Sequence, residues 1–299
     1  MSNETIHLFL NPAAGRGRAG KRQARIAELL GAQGVGISLH ESQCVGDLEQ
    51  HVRRRVENGG TRLIVAGGDG SIHEAVNGIL GADGEAALGV IPTGTGNDFA
   101  KAAGIPLDWE HATQLLATRL AANASPRPID AGRCNERYFA NGAGIGFDAE
   151  VTRIARSIHW PIGDLVYLVA IFRSMRKGIA TPRARIQAGE FTWDGPLTLA
   201  NLSNGPWVGG MFHIAPMASN SDGLLELLLA RPVTRRRILT LLPKLMRGTH
   251  LDEEDILHHS VTRMSVETDE PVASHLDGEV QALQTHFDLE VLPNALNLL

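Results

Sequence analysis

Short apolar runs alternate with helix-like segments through the first part of the chain. Residues 6–10, 63–66 and 88–91 are such runs, and each ends in turn residues: Asn11-Pro12, Gly67-Gly68 and Pro92-Thr93-Gly94. Their length and continuity predict strands. After the second run, Ile72, Ala75, Val76, Ile79 and Leu80 fall on one continuous helical face. Strands alternating with helices, with glycine-rich loops at the strand ends, predict an α/β domain whose parallel sheet binds ligands at its carboxyl edge.

Residues 122–128 carry Pro126 and Pro128, and the pattern changes beyond them. Apolar positions now recur every second residue: Ala184, Ile186 and Ala188; Thr262, Met264 and Val266; Phe287, Leu289 and Val291. This period predicts a mostly-β second domain of sandwich type, interrupted by one helix over residues 234–248. The acidic segment 252–255 reads as a helix start. Two domains are expected, 1–125 and 126–299, with roughly the last 15 residues able to return to the first.

Composition narrows the function classes. With 43% apolar residues in 299, the chain can bury one large core or two modest ones. A formal charge of −5 gives no global attraction for nucleic acid, so no nucleic-acid partner is expected. Cys44 and Cys134 have no metal or redox spacing and read as reduced thiols, which suits the cytoplasm. The start Met1-Ser2-Asn3-Glu4-Thr5 lacks the features of a signal peptide, and the apolar residues 165–172 are too few to cross a bilayer. No transmembrane segment is expected, and membrane contact would be peripheral, at the inner face.

The sharpest chemical signal is Gly67-Gly68-Asp69-Gly70-Ser71, set between a strand and an amphipathic helix. Glycines there let the backbone approach a phosphate, and the helix presents its positive end. Asp69 can hold a divalent ion or water against those phosphates. A tight turn with a capping Asp is the plain alternative. Loops 11–18 and 92–99 follow the first and third runs, and neither ends as a Walker A loop does. Arg16, Arg18 and Lys21 could counter phosphate charge or simply be solvated, while Thr95 and Asp98 offer a hydroxyl and a carboxylate. Read alone, Asp277-Gly278-Glu279 is a hairpin turn and residues 218–224 are a polar turn before a strand.

Taken in order, Asn11-Pro12, Gly67 to Ser71, Thr93 to Phe99 and Asp277-Gly278-Glu279 resemble the diacylglycerol-kinase catalytic-domain family in its compact bacterial lipid-kinase form. The resemblance covers nearly the whole chain. A lone Gly-Gly-Asp-Gly also resembles NAD kinases and phosphofructokinases; the four motifs together are far more specific. The family implies an NAD kinase/phosphofructokinase-like first domain that binds nucleotide, a β-sandwich second domain for lipid and metal, and an active site in the cleft between domains. It implies ATP as phosphate donor, Mg²⁺, and an acceptor hydroxyl on a diacylglycerol-like lipid drawn from a membrane, as in phospholipid biosynthesis.

Carried over residue by residue, the resemblance implies nucleotide contacts from Asn11, Ser42, Gly67, Gly68, Asp69, Gly70, Ser71, Ile72, His73 and Thr95. It makes Asp69 and Glu279 the catalytic pair, with Glu279 as general base for the lipid hydroxyl. It implies Mg²⁺ ligation by Ser219, Asp222 and Leu224 through an Asp and two carbonyls, with Asp98 and Asp130 orienting the ion through water. Three positions depart from the family: Ser71 and Ser42 replace Thr, and His73 replaces Asn.

Residues 234–248 and 153–177 are basic and amphipathic, the second with Trp160, Tyr167 and Phe172. They suit an anionic interface or a helix packed on a sheet with a solvated face. The twelve histidines show no ligand spacing. An NAD kinase-like enzyme acting on a soluble acceptor and a non-catalytic nucleotide or lipid sensor are the rivals. Oligomeric state stays open, a homodimer included.

Overall fold

The computed structural model describes residues 5–158, 163 and 165–299. Trp160 and the residues Met1, Ser2, Asn3 and Glu4 lie outside them. The chain divides into unit 1, residues 1–129 with 294–299, and unit 2, residues 130–293.

Unit 1 alternates β1 (Ile6–Leu10), α1 (Ala14–Gly31), β2 (Ile37–Glu41), α2 (Asp47–Glu57), β3 (Arg62–Gly67), α3 (Asp69–Leu80) and β4 (Ala87–Pro92), then adds α4 (Asp98–Ala102) and α5 (Trp109–Ala121). The strands form a parallel sheet in the order β2-β1-β3-β4. Near the C-terminus, Asn297 and Leu298 pair in parallel with Ala87 and Leu88. Strands β3 and β4 are buried almost throughout, because helices cover both faces: α1 packs with α5, and α2 with α3. The helix read from Ile72, Ala75, Val76 and Ile79 is α3, with those four side chains buried. Gly78 on its far side meets α2 so closely that an added Cβ would lie 2.7 Å from the Glu49 carbonyl oxygen.

The chain passes into unit 2 within β5 (Arg127–Cys134) and continues with β6 (Arg137–Phe139), β7 (Gly142–Gly146), α6 (Phe147–Arg156), α7 (Leu165–Lys177), β8 (Arg183–Ala188), β9 (Phe191–Pro196) and β10 (Leu199–Ser203). It continues through β11 (Trp207–Val208), β12 (Phe212–His213), β13 (Leu225–Ala230), α8 (Arg235–Arg247), β14 (Ile256–Val261), β15 (Arg263–Val272), β16 (Ser274–Leu276), β17 (Glu279–Val280) and β18 (Gln284–Leu298). One antiparallel sheet runs β18-β15-β8-β9, and a second runs β14-β13-β10-β7-β16-β17. Phe139, Ala143, Ile145, Leu202, Leu227, Val266, Phe287 and Leu289 pack into one core between them, the β-sandwich that the two-residue period predicts. The buried thiol of Cys134 belongs to that core, and burial pushes its pKa up to about 12.

Three readings need correction. Unit 2 carries helices α6 and α7 besides the expected α8, because apolar residues at helical spacing cover one sheet and face each other. Residues 252–255 form turns rather than a helix start: Glu253 accepts from Arg237 and Lys244, and Asp255 from Arg237, which holds the segment back along α8. Thr262 is an exposed bend, so the β15 alternation begins at Met264. No described helix is long and apolar enough to cross a membrane.

Candidate active site

Three loops of unit 1 meet at the carboxyl ends of β1, β3 and β4. The Asn11 side chain donates to Ser71 Oγ at 3.3 Å, and its Oδ1 accepts from the Ala13 amide at 3.0 Å. Ser42 joins the same edge, its amide donating to the Leu10 carbonyl at 2.9 Å. Gly15, Arg16 and Gly17 all have left-handed φ, so the chain curls there before the regular turns of α1 begin. A Cβ on Gly15 would stand 2.3 Å from the Thr93 carbonyl oxygen, and one on Gly94 would stand 2.5 Å from Gly68 Cα. Only glycine lets these backbones lie so close.

Asp69 links two of the loops, since its Oδ1 accepts from the Phe99 amide at 3.2 Å. Gly67, Gly68 and Gly70 frame it at the start of α3, whose first-turn amides are the ordinary donors to an anion. The side chains of Ile72 and His73 are buried, and Asn77 donates to the His73 carbonyl at 2.9 Å. Any ligand contact from those two positions would therefore be through the main chain. Thr95 is exposed at the loop tip, and Asp98 is buried and paired with Lys101 at 3.0 Å. Among the described residues, Thr93 Oγ1 and Asn97 Oδ1 are buried without a hydrogen-bond partner.

In unit 2, Asp277-Gly278-Glu279 is a hairpin turn, as its residues read in isolation. Asp277 and Gly278 have φ of 51° and 82° and connect the paired residues Leu276 and Glu279, the pattern of a two-residue hairpin. The turn is also anchored. The Asp277 carboxylate accepts from the amides of Ala140, Asn141 and Gly142 at 2.8 to 3.0 Å. Glu279 is partly exposed and ion-paired with Arg156 at the end of α6, and Arg156 also donates to the Gly278 carbonyl at 3.2 Å.

Beside this hairpin lies an apolar pocket of about 900 Å³, part of it open to solvent. Helices α6, α7 and α8 wall it with Val151, Ile171, Ile238, Leu241 and Leu242, and the outer face of the second sheet closes it with Leu228 and Ala230. Three residues of β7, Gly142, Gly144 and Gly146, alternate with the core residues Ala143 and Ile145 and so leave that outer face bare. His250 and His275 are the buried histidines of the lining; burial lowers the His250 pKa, and its bond to the Ile214 carbonyl opposes that shift. The sequence reading named neither Asp148 nor His275, which also border this space; the spaced glycines of β7 were the available signal.

The turn 219–224 precedes β13. Asp222 accepts from the Leu224 amide at 3.0 Å, and the buried Asp130 accepts from the Gly223 amide at 2.7 Å while its own amide donates to the Asn220 carbonyl at 2.8 Å. Ser219 Oγ lies 3.3 Å from Ser221 Oγ. Oxygen is the only donor type that Ser219, Asp222 and the Leu224 carbonyl offer, which fits a hard divalent cation. Among the described residues, no group of three or more His, Cys, Asp or Glu side chains is placed to hold a metal.

Comparison with known proteins covers both units. The model of the diacylglycerol kinase catalytic domain matches residues 5–134, and that of the YegS C-terminal NAD kinase beta sandwich-like domain matches residues 142–299. A diacylglycerol kinase of Bacillus subtilis (strain 168) is 32% identical over 281 residues, 91% of this chain and 88% of that one. A probable lipid kinase, YegS-like, of Serratia proteamaculans (strain 568) is 32% identical over 288 residues, 93% and 89% of the two chains. The crystal structure of a putative diacylglycerol kinase from Bacillus anthracis str. Sterne shares the fold, with a TM-score of 0.81 at 23% identity over 99% of this chain and 94% of that one.

Proposed function

Because the chain belongs to the diacylglycerol kinase catalytic-domain family, we propose that it transfers the γ-phosphate of ATP to a hydroxyl of a diacylglycerol-like lipid. The observation that carries the lipid reading is the apolar pocket of unit 2 beside the Glu279 hairpin. His275 of that hairpin lines the pocket, and Tyr167 of the pocket wall approaches Gly278. An acyl chain gains roughly 0.8 kcal/mol for each CH₂ it buries in such a space. A soluble acceptor of NAD type would gain little from these walls.

The remaining roles are those the family resemblance implies, and each is chemically consistent with the residues present. The loops around Gly68, Gly15 and Gly94 offer close main-chain approach to phosphates, with Asp69 as the acidic centre. Glu279 accepts the proton of the lipid hydroxyl as that oxygen bonds to the γ-phosphorus and the bond to ADP breaks. Arg156 pairs with Glu279 through Oε2, which leaves Oε1 to accept the proton. Ser219, Asp222 and Leu224 would hold Mg²⁺, which would supply positive charge toward the phosphates. The lipid is drawn from a membrane surface at which the protein acts peripherally.

The test is labelled ATP with a total lipid extract, and in parallel with NAD. Label should enter a hydroxylated lipid, and Glu279→Gln should reduce turnover by about 10²- to 10⁴-fold with ATP affinity retained. Label in NAD alone would favour the soluble-acceptor rival. Label in neither would favour the sensor, and full turnover by Glu279→Gln would remove the assigned base.

A further inference from the structure

Helix α8 presents three sides of different character. Ile238, Leu241, Leu242 and Leu245 wall the apolar pocket. Arg237 and Lys244, a heptad apart, share a second side, where Glu253 pairs with both and Asp255 with Arg237. Leu239 and Met246 each stand two positions further along, more than half a turn around the helix from that paired side. They are 44% and 38% exposed, and Arg235, four residues before Leu239, lies in line with them. Arg236, Pro243 and Arg247 are exposed along the adjoining stripe. Among the described residues, Arg235, Arg236 and Arg247 make no ion pair.

The acidic residues 252–255 thus neutralise cations on one side of α8 only. The open side joins two aliphatic side chains to three unpaired guanidiniums, in a chain whose formal charge is −5. A local basic face on an acidic protein selects an anionic partner.

The aliphatic pair selects the class of that partner. Nucleic acid offers phosphates but no apolar layer for Leu239 and Met246, and this side of α8 carries no aromatic ring on which a base could stack. An anionic bilayer offers both layers, acidic head groups for the guanidiniums and hydrocarbon for the aliphatic pair. The pocket wall is another side of the same helix, so a bilayer seated on Leu239 and Met246 lies beside the space that takes an acyl chain.

We propose that the side of α8 bearing Arg235, Arg236, Leu239, Met246 and Arg247 is the surface on which the protein docks to anionic bilayers. This gives the lipid reading its membrane partner and rests on it, and the test separates the two.

The full chain without ATP is sedimented with extruded vesicles of phosphatidylglycerol and phosphatidylcholine in equal parts, or of phosphatidylcholine alone. Wild type should bind the anionic vesicles about tenfold more tightly or better. The triple variant Arg235→Gln, Arg236→Gln, Arg247→Gln should lose about 10²-fold on them, near fivefold for each charge. Leu239→Ser combined with Met246→Ser should lose about tenfold. A charge-matched control on the sandwich, Arg183→Gln, Arg185→Gln, Arg263→Gln, should bind as wild type. All these side chains are exposed, so thermal melts and lipid phosphorylation in nonionic micelles should match wild type in every variant. Equal binding to the two vesicle types, binding to neither, or equal losses in the two triple variants overturns the docking surface. Undiminished binding by the folded α8 triple variant does so too. Micellar phosphorylation without α8-dependent binding removes the docking surface and keeps the lipid reading. Binding that depends on α8, without phosphorylation of any lipid, does the reverse.

Discussion

The glycine-rich loops of unit 1 and the pocket of unit 2 are assembled in opposite ways. Each loop of unit 1 is a short contiguous stretch at a strand end, and glycines let the three come together. The pocket draws its walls from three helices and a sheet, spread from Phe147 to His275. Local chemistry thus identifies the first site, and only packing creates the second. An acidic residue of each unit differs in the same way. Asp69 accepts from the Phe99 amide of a neighbouring loop, while the Asp277 carboxylate accepts from the amides of Ala140, Asn141 and Gly142 beside the Glu279 it presents.

That contrast can be tested directly. The largest expected effect is at Asp69. Asp69→Asn keeps an oxygen for the Phe99 amide and loses the charge, so turnover should fall by about 10²-fold or more with little change in Tm. A large fall in Tm with turnover intact would make Asp69 a structural tie rather than a phosphate-site group. Asp277→Ala should show the converse signature. Three amides lose a charged acceptor, so unfolding free energy should drop by about 2 to 4 kcal/mol, read from denaturant titration. An unchanged midpoint would mean that the hairpin holds without its anchor.

The smallest effect compares partly and fully buried histidines across the units. Burial lowers the pKa of His40 in unit 1 and of His213 and His250 in unit 2. A folded pKa below the unfolded value of about 6.5 means that the unfolded chain takes up protons first, so stability declines as pH falls below about 6.5. Melting curves between about pH 7 and pH 5 should show Tm falling by a few degrees, with the slope reduced in His250→Gln. A slope identical to wild type would free His250 of that part.

Much of unit 1 was legible because its signals are local. The runs 6–10, 63–66 and 88–91 became β1, β3 and β4, and the family read from four motifs is the family whose models match both parts of the chain. In unit 2 the alternation at Ala184, Ile186, Phe287 and Leu289 gave strands facing one core. Helices α6 and α7 were harder to read, since residues 153–177 suited an anionic interface as well as a helix packed on a sheet with a solvated basic face. The acidic residues 252–255 misled because a helix start and an ion-paired turn share the same composition; their partners, Arg237 and Lys244, come from another element.

By itself, then, the sequence determined the alternation of elements, the glycine loops and the family, because each depends on neighbours a few positions apart. The tertiary structure alone decided that Asp148 and His275, 127 positions apart, share the space above Gly144. It also decided that Arg156 holds Glu279 and that α6, α7 and α8 enclose an apolar space. Such features depend on which faces pack together, and facing is a property of the folded chain that no local pattern encodes.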